Sequence, residues 1–232
     1  MRAAVLCVAF CCLVALGADQ NTASAQEVAA VVPVDQIHFD FEFAALQPPH
    51  WGFEINRDGS GRYFEQGLPA AANSSGNTWQ PIQVSAPTME ALLAGWTALG
   101  GNKDCNSKLK NLARTGKKTL SYGHDSVWNT CVFNYSDDAG VMRATASFQA
   151  MAETMQFAER LKHEHRFDKL GLDAELDSLI EEAKDNRAME IQNIAPVLQS
   201  LVTDDTLMER VRSKAQRLLD QSSGDAPAAS PR

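Results

Sequence analysis

The densest group of chemistry-bearing side chains is His163-Glu164-His165-Arg166-Phe167-Asp168. Imidazoles beside carboxylates could hold a transition metal or run acid–base hydrolysis. A zinc site carried by one helix uses histidines four apart, so that both rings share a face. Here they stand two apart, about 200° around a helix, so they diverge, and no third ligand is evident. The pattern predicts surface histidines at a helix C-terminus, where positive charge is favourable, with Arg166 and Asp168 fixing a helix–helix corner. A small hydrolase or metal-dependent enzyme using His163, His165 and Asp168 is the alternative.

Other chemical patterns dissolve on inspection. His124-Asp125-Ser126 has the letters of a nucleophilic triad, but consecutive residues cannot converge as a triad must, and no G-x-S-x-G elbow is present. Asn56-Arg57-Asp58-Gly59-Ser60-Gly61 resembles the start of a calcium loop. Such a loop needs a bidentate Glu at position 12, and Gly67 falls there. Its flanks alternate with period two, so Asp58-Gly59 predicts a hairpin turn. Asp137-Asp138 predicts a turn as well. Neither a phosphate-cradling G-x-x-x-x-G-K-[ST] nor a dinucleotide G-x-G-x-x-G occurs. No cofactor is implied.

Binding candidates are better supported. Trp51 and Trp79 could stack on sugars or anchor a partner protein if they are exposed at the sheet, while burial in a hairpin core is the plainer expectation. Net charge is −8 but uneven. Lys103, Lys108, Lys110, Arg114, Lys117 and Lys118 face a single acid, Asp104, within residues 103–118. Lys108, Lys110, Lys117 and Lys118 therefore form a candidate strip for an envelope protein or anionic glycan. An acidic chain is a poor nucleic-acid ligand, because affinity there comes from neutralised phosphates.

The beginning of the sequence predicts export. Met1-Arg2, the apolar run Ala3–Leu16 and Ala23-Ser24-Ala25 read as a signal peptide over residues 1–25. The apolar run is shorter than the roughly 20 residues of a spanning helix, and no later stretch qualifies. Of five cysteines, only Cys105 and Cys131 follow that segment. A leftover pair in an exported chain predicts one disulfide, which contributes about 3 kcal/mol by restricting the unfolded chain. The expected location is periplasmic or extracellular.

These residues must be positioned by two kinds of element. Residues 26–142 read as a β-rich α+β domain. Ile37-His38-Phe39-Asp40-Phe41-Glu42-Phe43 alternates strictly, as a half-buried strand does. Further strands are expected over 51–56, 62–66, 81–85, 118–122 and 127–135, with a loop over 68–77. A helix capped by Ser85 or Thr88 runs to Gly100-Gly101. Residues 143–220 read as an α-helical region packed on or beside the sheet. Its first helix starts near Met142. Asp173, Asn193 and Thr203 are expected to open the later ones, and residues 221–232 to form a disordered tail. This order resembles small exported sheet-and-helix domains of unassigned function over roughly residues 35–165, and the resemblance implies no activity.

The fold class expected is α+β, a mainly antiparallel sheet with one packed helix followed by the helical region. The leading functional expectation is a non-catalytic binding or structural module of the periplasm or envelope. A helical docking module, with residues 172–219 presenting a groove to a partner helix, is a third possibility.

Overall fold

The computed structural model describes residues 34–66, 78–99 and 104–224. The predicted signal peptide, the 68–77 loop, Gly100-Gly101 and Lys103 lie outside the described residues. So does the expected tail beyond Gly224.

The predicted alternation in the first half becomes a six-stranded antiparallel sheet, ordered β4-β3-β2-β1-β5-β6. Its strands are β1 Gln36–Glu42, β2 His50–Asn56, β3 Ser60–Glu65, β4 Thr78–Gln83, β5 Lys117–His124 and β6 Val127–Phe133. Ile37, Phe39 and Phe41 of β1 are buried, whereas Gln36, His38, Asp40 and Glu42 are not. This one strand defines a covered face and an open one. Asp58-Gly59 closes the β2–β3 hairpin, with Gly59 at φ +81° and its amide bonded to the Asn56 carbonyl at 2.9 Å. Asp58 accepts the Ser60 amide at 2.9 Å, so the oxygens that resemble calcium ligands hold the turn instead.

α1 (Ala86–Leu99) carries the chain from edge strand β4 to β5, beside β1. The Tyr122 hydroxyl of β5 donates to the Leu92 carbonyl of α1 at 2.7 Å, pinning the helix to the sheet. α2 (Ala139–Phe167) follows, capped by Asp138, whose side chain accepts the Gly140 and Val141 amides. Phe148 of α2 stacks on Phe39, with ring centroids 4.5 Å apart. The other side of α2 meets the C-terminal helices, where the Thr154 hydroxyl donates to the Met189 carbonyl at 2.6 Å. α2 is therefore buried on two faces and joins sheet and helices in one continuous core.

Three helices complete the fold: α3 (Leu172–Lys184), α4 (Ala195–Thr203), which follows a 3-10 turn at Ile191–Ile194, and α5 (Glu209–Gly224). Their apolar stripes turn inward, with Leu176, Leu179, Leu198, Leu201, Val211, Ala215 and Leu218 buried and Ile180 and Ile191 partly so. The predicted caps differ. Asp173 lies inside α3, where it takes Lys214 at 2.8 Å and Arg210 at 3.1 Å. Asn193 reaches β4, accepting the Gln83 amide at 2.7 Å. Thr203 ends α4 instead of opening α5. In each case a long-range partner or the preceding helix outcompetes the local cap. α5 also continues past residue 220, and Ser222 is buried. No helix among the described residues is long and apolar enough to cross a membrane.

Candidate functional site

The histidine–acid segment does not converge. His165 Nε2 bonds Asp204 at 2.8 Å, and Lys169 donates to the same carboxylate at 3.0 Å. His163 turns aside against Phe167, at 5.0 Å between ring centroids. Asp168 accepts the Leu170 amide within its own turn. Asp168 thus holds the α2–α3 corner, whereas Arg166 lies 4.9 Å over the Phe167 ring, and His165 and Lys169 tie the end of α2 to the end of α4. The Thr206 hydroxyl, followed by His165 and Lys169, holds the Asp204 carboxyl well below the usual range. His124-Asp125 sits at the β5–β6 turn, with Asp125 at φ +52° and His124 bonded to Asp35 at 2.5 Å. Most of the apolar residues in 172–219 that could line a docking groove pack into the protein's own core.

Of the predicted binding residues, Trp51 is 5% exposed and Lys118 4%. Both belong to the covered face. Trp51 packs on Phe41 at 5.0 Å, and no ligand can stack there. Lys118 leaves the expected basic strip for the same reason: it pairs across the strands with Phe41 and Phe133, inside the sheet. Its ammonium group donates to the Asn134 carbonyl at 2.9 Å and to the Thr115 carbonyl and hydroxyl at 3.2 and 3.1 Å. Burial pushes its pKa down. Lys117, its neighbour, points out and pairs with Glu42 at 2.7 Å. Lys108 and Lys110 stand exposed on the loop that follows Cys105. Cys105 and Cys131 are at disulfide distance, with Cα atoms 6.0 Å apart.

Lys118 is therefore a structural pin for the 104–116 loop. Lys118→Met is expected to destabilise the protein by about 2 kcal/mol, because several acceptors lose a charged donor. Faster amide exchange at Thr115 and Asn134 should accompany the loss. An unchanged denaturation midpoint and exchange rate would refute the pin.

What remains is the open face of the sheet, and cross-strand register decides what stands on it. One row runs Trp79, Phe64, Gly52, Asp40, Thr119 and Val132 from β4 to β6. The next runs Pro81, Arg62, Glu54, His38, Ser121 and Thr130. α1 and α2 lie behind the sheet, and no described element crosses this face.

Two aromatic stations mark its ends. On the β3–β4 side the Arg62 guanidinium lies 3.9 Å over the Trp79 ring, and Trp79 meets Phe64 at 4.9 Å. On the β5–β6 side Trp128 lies against His38 at 4.3 Å. Each station rests on a glycine. A Cβ on Gly52 would stand 2.6 Å from the Phe64 ring, and one on Gly123 would stand 2.8 Å from Trp128. The missing side chains let both rings lie flat on the backbone, an arrangement that also offsets the cost of glycine in a strand. Trp79 and Trp128 keep 39% and 38% of their surface exposed. Five strand spacings separate their strands, about 24 Å.

Polar groups fill the interval. His50 bonds Asp40 at 2.7 Å, Arg62 donates to Glu54 at 2.7 Å, and Ser121 bonds Thr130 at 2.9 Å. Burial lowers the pKa of His38 from its ordinary value. Asp40, Glu42 and His50 offer metal-ligating atoms within 4.8 Å of one another. Carboxylates with an imidazole suit a divalent ion, which would have to displace Lys117 from Glu42. Beside them a cleft of about 1100 Å³ opens between the sheet end and the basic loop, lined by His50, Arg114, Lys117 and Asn134 among others.

Sequence reasoning missed Trp128 and the polar row. The signal for Trp128 was strand parity: it sits an odd number of residues from Cys131 and Phe133 and so points away from them. Trp79 has the opposite parity to the buried Ile82 and Val84, which places it on the open face. The pairing of His38 with Trp128 had no sequence signal, because strand order sets it. A scan against known protein families finds no matching family, and no curated protein is similar to the chain.

Proposed function

We propose that the protein is an exported, non-catalytic binding module of the periplasm or cell envelope, and that the open sheet face takes a glycan. One observation carries the reading: two half-exposed indoles, one beside a ring seated on glycine and the other seated on glycine itself, bracket an uncovered polar surface. Indole faces attract the C–H faces of sugar rings and exclude water from them. The hydroxyls of a sugar are matched by the carboxylates, imidazoles and threonines between the two stations. Lys108, Lys110 and Arg114, exposed on the adjoining loop, supply positive charge for acidic substituents on such a chain. The export half rests on the apolar leader with its Ala23-Ser24-Ala25 site and on the cysteine pair.

Pull-down on insoluble envelope polysaccharides, then calorimetry with soluble oligosaccharides, tests the reading. Trp79→Ala and Trp128→Ala should each weaken binding about tenfold, near 1.4 kcal/mol, with circular dichroism unchanged. Trp51→Ala would unfold the core instead and is no control. Absence of binding across the panel, or binding indifferent to both exposed tryptophans, would remove the glycan reading.

A further inference from the structure

The two edges of the sheet are protected very differently. Pro81 interrupts β4, and Asn193 and Gln192 of the 3-10 turn bond the Gln83 backbone. Such features block pairing with another strand. β6 has none of them. Its sequence, V-W-N-T-C-V-F, contains no charge and no proline. Val127 and Val132 are 63% and 52% exposed, and among the described residues no element lies beyond β6 in the sheet. The 104–116 loop is tied to β6 by the Cys105–Cys131 pair and just past the strand end, where Asn106 accepts the Asn134 amide at 3.1 Å.

We propose that β6 pairs antiparallel with β6 of a second copy of this chain, about a two-fold axis at Thr130. Two features select a second copy as the occupant. The strand is self-complementary about Thr130: Trp128 comes opposite Val132 of the other copy, an aromatic–β-branched pair on the open face, and Thr130 meets Thr130. Exposed charges of opposite sign also stand near its two ends. At the Val127 end stand Asp125, 83% exposed, and Asp35, 47% exposed. At the Phe133 end stands exposed Arg114, on the segment whose Ala113 carbonyl accepts from Asn134. A two-fold axis through the strand centre brings each acidic end beside the basic end of the other copy. The contact is isologous and closes on itself, giving a dimer and not a fibre. It also joins the two open faces into one surface, with a Trp128 on either side of the seam.

Sedimentation velocity of the chain from Gln26 onward, across a micromolar concentration series, tests this without any ligand. A reversible monomer–dimer equilibrium is expected. Thr130→Lys places like charges opposite each other across the axis and should weaken the dimer by about tenfold or more. Asp125→Arg should weaken it, and adding Arg114→Asp should restore it. All these positions are exposed, and circular dichroism checks that the variants remain folded. A monomer at every concentration overturns the proposal, as does a dimer indifferent to Thr130→Lys or a charge swap that restores nothing. The glycan reading stands or falls separately, on Trp79.

Discussion

Phe148→Ala is expected to lower the free energy of unfolding by about 3–5 kcal/mol, the largest effect of any single substitution considered. Phe148 is fully buried. It stacks on Phe39 at 4.5 Å and meets Phe53 at 5.6 Å. Those two rings belong to adjacent central strands and stand opposite each other in the register. Phe148 is therefore the contact through which α2 holds the middle of the sheet, and α2 in turn holds the C-terminal helices. Truncation loses the transfer free energy of the ring and leaves a cavity whose walls are a sheet and a long helix, neither free to collapse. Phe148→Leu keeps most of the volume and should cost about 1.5 kcal/mol or less. Urea denaturation followed by fluorescence measures both. A loss below about 1 kcal/mol for the alanine variant is incompatible with packing of this kind.

Replacing both Cys105 and Cys131 by alanine is expected to cost about 3 kcal/mol. The two residues are 26 apart in sequence, and the segment between them holds the basic loop, β5 and half of β6. The bridge restricts the unfolded chain over that length. In the native state it also ties the loop to an edge strand that, among the described residues, pairs only with β5. Amide protection should fall most at residues 104–116 and along β6, and least in β1 and β2. Alkylation of the unreduced, unfolded protein should modify neither cysteine. Two reactive thiols, or a double variant as stable as the parent, would count against the bridge.

The two predictions concern elements that differ in how readable they were. Phe148 lies on a helical stripe with Met151 and Met155, and all three are buried, as periodicity requires of an inward face. Cys131 was paired with Cys105 by elimination, since no other cysteine follows the predicted leader. Lys118 departs from the expected strip for a reason contained in β5 itself. Lys117 and Lys118 are adjacent on a strand and must point to opposite faces, so at most one of them could belong to a surface strip. Asp173 does not cap α3 for another reason: a carboxylate near a helix start satisfies amides only when nothing stronger is within reach, and Lys214, 41 residues away, is.

The sequence by itself determined the local order: the alternating strands, the Asp58-Gly59 hairpin, the inward stripes of the helices and the α+β class. These depend on periods of two and 3.6 and on turn stereochemistry, which act between near neighbours. Only the tertiary structure decided that β5 lies beside β1, with α1 crossing behind. That choice sets Trp128 against His38, 90 residues apart, and among the described residues puts the helices on one face of the sheet. Strand order follows from which buried faces pack best together. That is a sum over the whole core, and no short stretch of residues contains it.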